Sequence, residues 1–310
     1  MIDLVTGGAG FIGSHLVKAL VSDGRQVRVV DDLSSGLRSR LDAVADAIEF
    51  VQADLSETDL ALLLGGVRRV FHLAAVPSVS RSVRDPMRSH AAAATATLRL
   101  LGAARDAGVD RFVLSSSSSV YGETGSAAKR EDLRLDPVSP YGVAKAAAEG
   151  YARVFARLHG LRCVNLRYFN VFGPGQDPSS QYAAVIPLFV TRALAGEDLD
   201  VFGDGEQTRD FTYVENVVSA NLRAAHADCP KGSTYNIAAG DPRTLHELIR
   251  ALEGILGRTL RVRYSAARPG DIRHSHADTT LANTELGWRP SVTFEEGLRR
   301  TVDWYRGRAS

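Results

Sequence analysis

Short apolar runs recur along the first half of the chain, and between them lie longer stretches in which apolar residues return every three or four positions. Strands of a parallel sheet buried on both faces have the first pattern, and the helices that cross over them have the second. The runs predict strands at 2–5, 27–30, 48–51, 69–73, 111–115 and 163–168, with helices in the gaps. The gaps 86–107 and 141–158 are rich in alanine and long enough for good helices. Alanine faces let helices approach closely, so these two are candidates for a subunit interface as well as for ordinary packing on the sheet. Beyond about residue 166 the spacing turns irregular: "NVFGPGQDPSSQ" reads as a loop, 185–195 as a helix, and "DFTYVENVVSANLRAA" as a strand running into a helix.

The stretch "SSSSSVYG" at 115–122 has the composition of a flexible tether. It is bracketed by "RFVL" and "VYG", which a tether would not be. We read it as a strand end that carries hydroxyls to the carboxyl edge of the sheet, where ligands of such folds bind.

Composition narrows the chemistry. The 310 residues are 45% hydrophobic and 24% charged, as in soluble globular proteins, and the net charge is +1. Acids and bases are interspersed, so no basic face for nucleic acid or an anionic membrane is expected. Cys163 and Cys229 are far apart and neither lies in a CxxC pair, which argues against a disulfide framework and a zinc site; no metal is expected. There is no basic segment ahead of the N-terminal apolar residues and no run of eighteen uncharged apolar residues, so the expected compartment is the cytoplasm and the expected partner a small molecule.

"LVTGGAGFIGSHL" follows the first strand and opens a helix, with Gly7, Gly10 and Gly13 spaced GxxGxxG. Glycine allows the tight turn and lets the backbone approach a pyrophosphate at the positive end of the helix. Asp31 closes the second strand eighteen residues beyond Gly13, placed to accept hydrogen bonds from ribose hydroxyls. With Asp32 beside it a 2′-phosphate is repelled, which favours NAD over NADP. "ADL" at 53–55 and "FHLAA" at 71–75 close the third and fourth strands, with His72 read as structural. The fold class that follows is α/β: a Rossmann-type doubly wound parallel sheet with a smaller C-terminal α/β substrate domain. We place the first domain at 1–168 with a returning segment at about 209–228, and the second at 169–208 and 229–310.

At the start of the second alanine-rich helix, "SPYGVAK" puts Tyr141 and Lys145 at i and i+4 on one face. A phenol of ordinary pKa ~10 is a poor base at neutral pH; an ammonium one turn away, helped by a nicotinamide charge, favours the phenolate. The serine strand end brings a hydroxyl beside that pair.

With these residues assembled, the chain resembles the extended branch of the short-chain dehydrogenase/reductase superfamily, and within it the UDP-hexose 4-epimerases. The resemblance spans nearly the whole length and is carried by "TGGAGFIGSHL", "DDLSSG", "FHLAA", "SSSSSVYG", "SPYGVAK", "RYFNVFGPGQDP", "VFGDGEQTRDFTYVENV" and "RPGDIRHSHAD". It implies that Ser117, Tyr141 and Lys145 are catalytic: Tyr141 takes the C4 hydroxyl proton as hydride passes to NAD, the 4-keto sugar turns over, and hydride returns to the opposite face. It places cofactor contacts also at Phe11, Ile12, Ser35, Gly36, Asp54, Leu55, Leu73, Ala74, Ala75, Ser115 and Tyr168. Related dehydratases carry an Asp-Glu pair just before "VYG", where this chain has Ser118 and Ser119. Without that carboxylate no acid or base is evident for a second elimination, and epimerisation is the simplest outcome.

For the substrate, the resemblance implies contacts at Ser78, Ser118, Asn170, Ala184 and Val185, phosphate and ribose contacts at Arg209, Arg268 and Asp271, and a uracil site at Val201 and Phe202. Ser275 falls where the family lines the pocket beside the C2 substituent, and a small side chain there leaves room for an acetamido group. UDP-N-acetylglucosamine is the first choice, with UDP-glucose also admitted. His274 and His276 flank that serine and are read as surface or packing residues. One departure from the family is Ala93, where an Asn usually faces the cofactor. The resemblance suggests a homodimer. Rival readings are a UDP-glucuronic acid or strict UDP-glucose 4-epimerase, a 4-keto sugar reductase, and a non-catalytic NAD-binding regulator.

Overall fold

A computed structural model describes residues 1–76, 78–123, 128–178, 184–267 and 272–309. Seven parallel strands form one sheet. Six of them are β1 (Ile2–Thr6), β2 (Gln26–Asp31), β3 (Ile48–Gln52), β4 (Val67–His72), β5 (Arg111–Ser117) and β6 (Cys163–Tyr168). The spatial order is Ser233–Ile237, β6, β5, β4, β1, β2, β3. The chain winds outward from β1 to β3, then jumps back to β4 and winds the other way. The crevice at that reversal, between the carboxyl ends of β1 and β4, is where such sheets bind ligands.

Each predicted strand is present. Several extend one or two residues past the apolar run into polar ones, ending at Thr6, Asp31, Gln52 and Ser117, while the strand expected at 69–73 runs Val67–His72. Those polar ends sit at the carboxyl edge, and the ladder continues through them because backbone pairing needs no apolar side chain. One sheet face is covered by helix α1 (Phe11–Ser22) and the helix Val214–His226, packing Leu16, Val217 and Ala220 on Val5, Val29 and Val164. The other carries the helix Pro140–His159 and the segment 86–106, packing Leu100, Leu101, Ala148 and Ala152 on Leu4, Val70 and Phe112. A third apolar core gathers Phe172, Phe189, Val201, Phe211, Leu248, Phe294 and Leu298 around the short parallel pair Leu199–Phe202 and Val262–Ser265.

Three features differ from the sequence reading. The strand Ser233–Ile237, placed there in the sugar-binding part, pairs with β6 along its length and is the seventh strand of the large sheet. Its sequence, STYNI, mixes polar residues into the run and hides the signal. The segment 86–106 is not one regular helix but Pro86–His90, a wider π turn at Ala91–Thr95, and Ala96–Asp106. Finally, the two alanine-rich helices meet each other within the chain, where Ala93, Ala94 and Ala144 pack together. No helix among the described residues is long and apolar enough to cross a membrane.

Candidate active site

The crevice at the strand reversal opens into a groove of about 1060 Å³ that runs from the carboxyl edge of the sheet to the third core. At one end the glycine turn explains itself sterically. Gly7 has φ +68, and a Cβ there would lie 2.7 Å from Ala74 N; a Cβ on Gly13 would lie 2.1 Å from Gly7 O. No side chain caps the N-terminus of α1, which leaves its first N–H groups for an anion. Asp31 ends β2 with both oxygens engaged: Ala9 N–H donates to Oδ2 and Leu33 N–H to Oδ1, each at 2.9 Å. Burial raises its pKa while those two amides pull the other way. Gly36 packs on this carboxylate; a Cβ there would come 2.6 Å from Asp31 Oδ1. A cradle bare of side chains, an open helix terminus and an acid at the end of β2 suit a dinucleotide.

The residues expected to hold cofactor line this groove, Gly36 excepted, since it supports Asp31 from behind. His72 does not enter it: the ring is buried between the hydroxyls of Thr6, at 2.7 Å, and Thr97, at 2.9 Å, and burial drops its pKa to about 3. Thr97 in turn donates to the carbonyl of Ala93, inside the π turn. Ala93 is itself buried, and its neighbours Ala92 and Ala96 form the wall.

At the middle of the groove, one strand end meets one helix face residue by residue. Tyr141, Lys145 and Glu149 lie a turn apart on the helix Pro140–His159, whose first turn is capped by Ser139 accepting from Gly142 N–H. Lys145 Nζ donates to the carbonyl of Ser115 at 2.7 Å, Ser116 Oγ donates to Glu149 Oε1 at 2.6 Å, and the Ser117 hydroxyl hydrogen-bonds Tyr141. Ser117 also accepts from Ser119 N–H at 3.1 Å, which turns the chain into the 3-10 turn Ser118–Val120. Glu149 is out of the groove and neutralised: Arg167 donates to it through Nε at 2.9 Å and Nη2 at 2.8 Å.

The electrostatics correct one expectation. Burial pushes the Tyr141 phenol up to about 12, opposed by Ser117, and does not leave it lowered. The Lys145 ammonium stands 6.0 Å from the phenol ring centre and gives its hydrogen bond to Ser115, while burial brings Lys145 down to about 8. Desolvation wins in the protein alone.

Toward the third core, Ser78, Asn170, Ala184, Val185, Phe202 and Arg209 line the groove. Asn170 takes a positive φ of +34, uncommon for a residue with a side chain. Ser275 is buried behind it, its hydroxyl 3.5 Å from the Asn170 amide. Val201 is fully buried in the third core with Leu199; the strand alternates, so Asp200 and Phe202 face the groove instead. The expectation for Val201 is therefore corrected. Arg268 and Asp271 lie outside the described residues. His274 is engaged by the Thr208 hydroxyl at 3.1 Å. Sequence reasoning missed Arg40, Arg81, Gln176, Asp177 and Arg192, which also line the walls; three sit in helical segments and two in a loop, and a single polar residue carries no periodic signal.

Residues 4–301 match the protein family described as GDP-mannose 4,6 dehydratase. The chain belongs to that family. Its members of the extended short-chain dehydrogenase/reductase type include the UDP-glucose 4-epimerase of Mycolicibacterium smegmatis, 40% identical over 314 residues and 100% of both chains. Among solved structures, the UDP-N-acetylglucosamine 4-epimerase of Methanobrevibacter ruminantium in complex with UDP-N-acetylmuramic acid superposes with a TM-score of 0.95 at 40% identity, covering 99% of this chain and 98% of that one. The Thermus thermophilus UDP-glucose 4-epimerase, solved with NAD, gives 0.90 at 36% identity over 99% of each chain. This family member thus shares its sheet and its whole length with NAD-containing relatives, and NAD is the cofactor its glycine cradle and Asp31 fit.

Proposed function

We propose that this chain interconverts the C4 epimers of a UDP-hexose, with UDP-N-acetylglucosamine preferred and UDP-glucose admitted. The observation that carries the reading is the meeting of Ser117, Tyr141 and Lys145 at the middle of the groove, beside serines 118 and 119 where dehydratases hold a carboxylate pair. At the two wall positions next to Tyr141's partner Ser117 the chain offers hydroxyls, Ser118 and Ser119, and no carboxyl group. An elimination of water needs such an acid; a proton shuttled on and off one oxygen does not.

When bound, NAD would supply a hydride acceptor and, in its oxidised form, a positive charge. The protein's own part is proton traffic: Tyr141 accepts the C4 hydroxyl proton and later returns it, Ser117 orients the C4 oxygen, and Lys145 holds ribose and phenol in register. Burial makes the phenolate costly in the protein alone, a cost that a nearby positive charge would offset. Asn170 and Arg209 are assigned to the diphosphate, where a guanidinium fork suits paired oxygens, and Phe202 to the uracil. Ser275, expected on the pocket wall, lies buried behind Asn170 and not on the groove surface, so the preference for an acetamido sugar rests on the resemblance of its motif.

The test is incubation with UDP-N-acetylglucosamine, UDP-glucose and UDP-glucuronic acid in separate tubes, reading C4 stereochemistry by proton NMR. Conversion of the first, without net consumption of reduced cofactor, is expected. Three unchanged sugars together with stoichiometric reduction of a 4-keto sugar would replace epimerase by reductase.

The family's homodimer is proposed for this chain as well. Val143, Tyr151, Val154 and Leu158 form an exposed stripe on the helix Pro140–His159, with exposed Val83 and Met87 alongside. Light scattering should give twice the 33.3 kDa chain mass; a monomer at micromolar concentration would reject the assignment.

A further inference from the structure

Three consecutive backbone carbonyls of the loop 173–178 are held by side chains from three separate parts of the chain. His15 on α1 places Nε2 2.8 Å from the oxygen of Pro174. A carbonyl only accepts, so that nitrogen carries the proton. Arg40, in the 3-10 segment Arg38–Ala47, donates Nη2 to the oxygen of Gly175 at 3.2 Å and Nη1 to the oxygen of Ala9 in the glycine turn at 3.2 Å. Tyr305, on the C-terminal helix Phe294–Ala309, donates its hydroxyl to the oxygen of Gln176.

Of the three, Arg40 alone also lines the groove, and it does so beside Asp31 and Asp177, whose carboxylates hold it charged against its burial. Burial lowers His15, so it stays neutral and keeps its single donor on Pro174. The fastened loop contributes Gln176 and Asp177 to the groove wall. One guanidinium therefore ties the turn that cradles a pyrophosphate to the loop that faces it from the other core.

We propose that His15, Arg40 and Tyr305 latch the 173–178 loop to the glycine turn, with Arg40 the positioning residue that retains the bound dinucleotide between turnovers. The inference rests on the reading of the groove as an NAD site and adds a reason for retention. A reduced dinucleotide that left in mid-cycle would strand the 4-keto sugar, so an epimerase needs its cofactor to leave far more slowly than the hydride returns.

The test measures NAD without any sugar. Freshly purified wild type, Arg40→Met, Arg40→Lys, Tyr305→Phe and, as a surface control, Arg261→Met are denatured and their NAD content read by chromatography. NAD release is then timed after dilution into an NAD-consuming trap. Arg261 pairs with Asp198 on the exposed surface, away from the groove. Arg40→Met should release NAD on the order of 10-fold faster, as expected for losing charge-assisted hydrogen bonds, with Arg40→Lys and Tyr305→Phe in between and Arg261→Met like wild type. Saturating NAD should restore most of the turnover of Arg40→Met. If Arg40→Met does not fold, the other two latch variants, Arg40→Lys and Tyr305→Phe, decide. Release at the wild-type rate in all of them rejects the latch, as does equally fast release from Arg261→Met. A wrong sugar assignment would leave these rates untouched and show only in the NMR assay.

Discussion

Tyr121 is fully buried and Tyr141 half-buried on the groove wall, and desolvation pushes both phenols up to about 12. Around Tyr121 every polar group is paired. Its hydroxyl accepts from Arg167 Nη1 at 2.7 Å and donates to Asn236 Oδ1 at 2.6 Å, and Arg167 closes on Glu149, which also takes Ser116. Tyr141 has Ser117 and then the open groove. The same chemistry is spent on architecture in one place and left available in the other. A closed polar network fixes a core, whereas an open one is a site.

The largest effect that can break this comparison is expected from the closed side. Glu149→Ala leaves the Arg167 charge buried without its carboxylate, at a cost of about 3–5 kcal/mol in unfolding free energy. Urea denaturation should show the midpoint collapse or the protein fail to accumulate. A loss under about 1 kcal/mol would mean that the pair is solvated and the contrast false.

On the open side, Tyr141→Phe should cost at least ~100-fold in turnover, the weight of a general base, while unfolding stability changes by less than about 1 kcal/mol. Steady-state kinetics with the converted sugar measures the first and urea titration the second. Near-normal turnover would remove Tyr141 from its role.

Much of this was legible in the chain before its fold. The predicted strand 163–168 and helix 185–195 coincide with Cys163–Tyr168 and Val185–Ala195, because apolar runs buried on both faces and an amphipathic helix with a glycine stop are strong local signals. The glycine turn, Asp31 and the Tyr141–Lys145 pair were legible for the same reason, since each needs particular residue types at fixed spacing. What escaped depends on contacts between distant segments. The strand Ser233–Ile237 owes its place to pairing with β6, and Arg167 reaches Glu149 and Tyr121 across 18 and 46 residues. Arg40 reaches Gly175 across 135. The phenol's raised pKa escaped too, because it comes from desolvation by the folded surroundings, which no local spacing of residues shows.

Lys145 sharpens the contrast through pH. Its folded pKa of about 8 lies below the ordinary 10.5. Between those values the unfolded chain holds a proton that the folded one has shed, so stability of the cofactor-free protein rises as pH climbs through that window. Below about 8 the lysine is charged in both states and its burial penalty is fully present. Lys145→Met should therefore be inactive yet more stable than wild type at pH 7, by on the order of 1–3 kcal/mol, with the gap closing toward pH 10. The raised Tyr141 phenol works in the opposite sense above its ordinary 10, so the comparison is read between pH 7 and 10. A gap constant with pH would show that the ammonium is solvated.

The smallest effect belongs to Tyr121. Tyr121→Phe removes a donor to Asn236 and an acceptor from Arg167, yet Arg167 keeps both of its bonds to Glu149 and has the Glu131 carbonyl 3.4 Å from Nη1. The ring is fully buried, and phenylalanine fills the same space without a cavity. What is lost is one buried hydroxyl and its two bonds, about 1–2 kcal/mol. Turnover should stay within about 3-fold, because Arg167 and Glu149 still hold Ser116 and the end of β5 in place; a 3-fold change is under 1.4 kcal/mol. Should Tyr121→Phe instead depress turnover as deeply as Tyr141→Phe while leaving the unfolding midpoint alone, the closed network would have to be counted as part of the proton path. The distinction between the two phenols would then be one of distance along a single chain of hydrogen bonds.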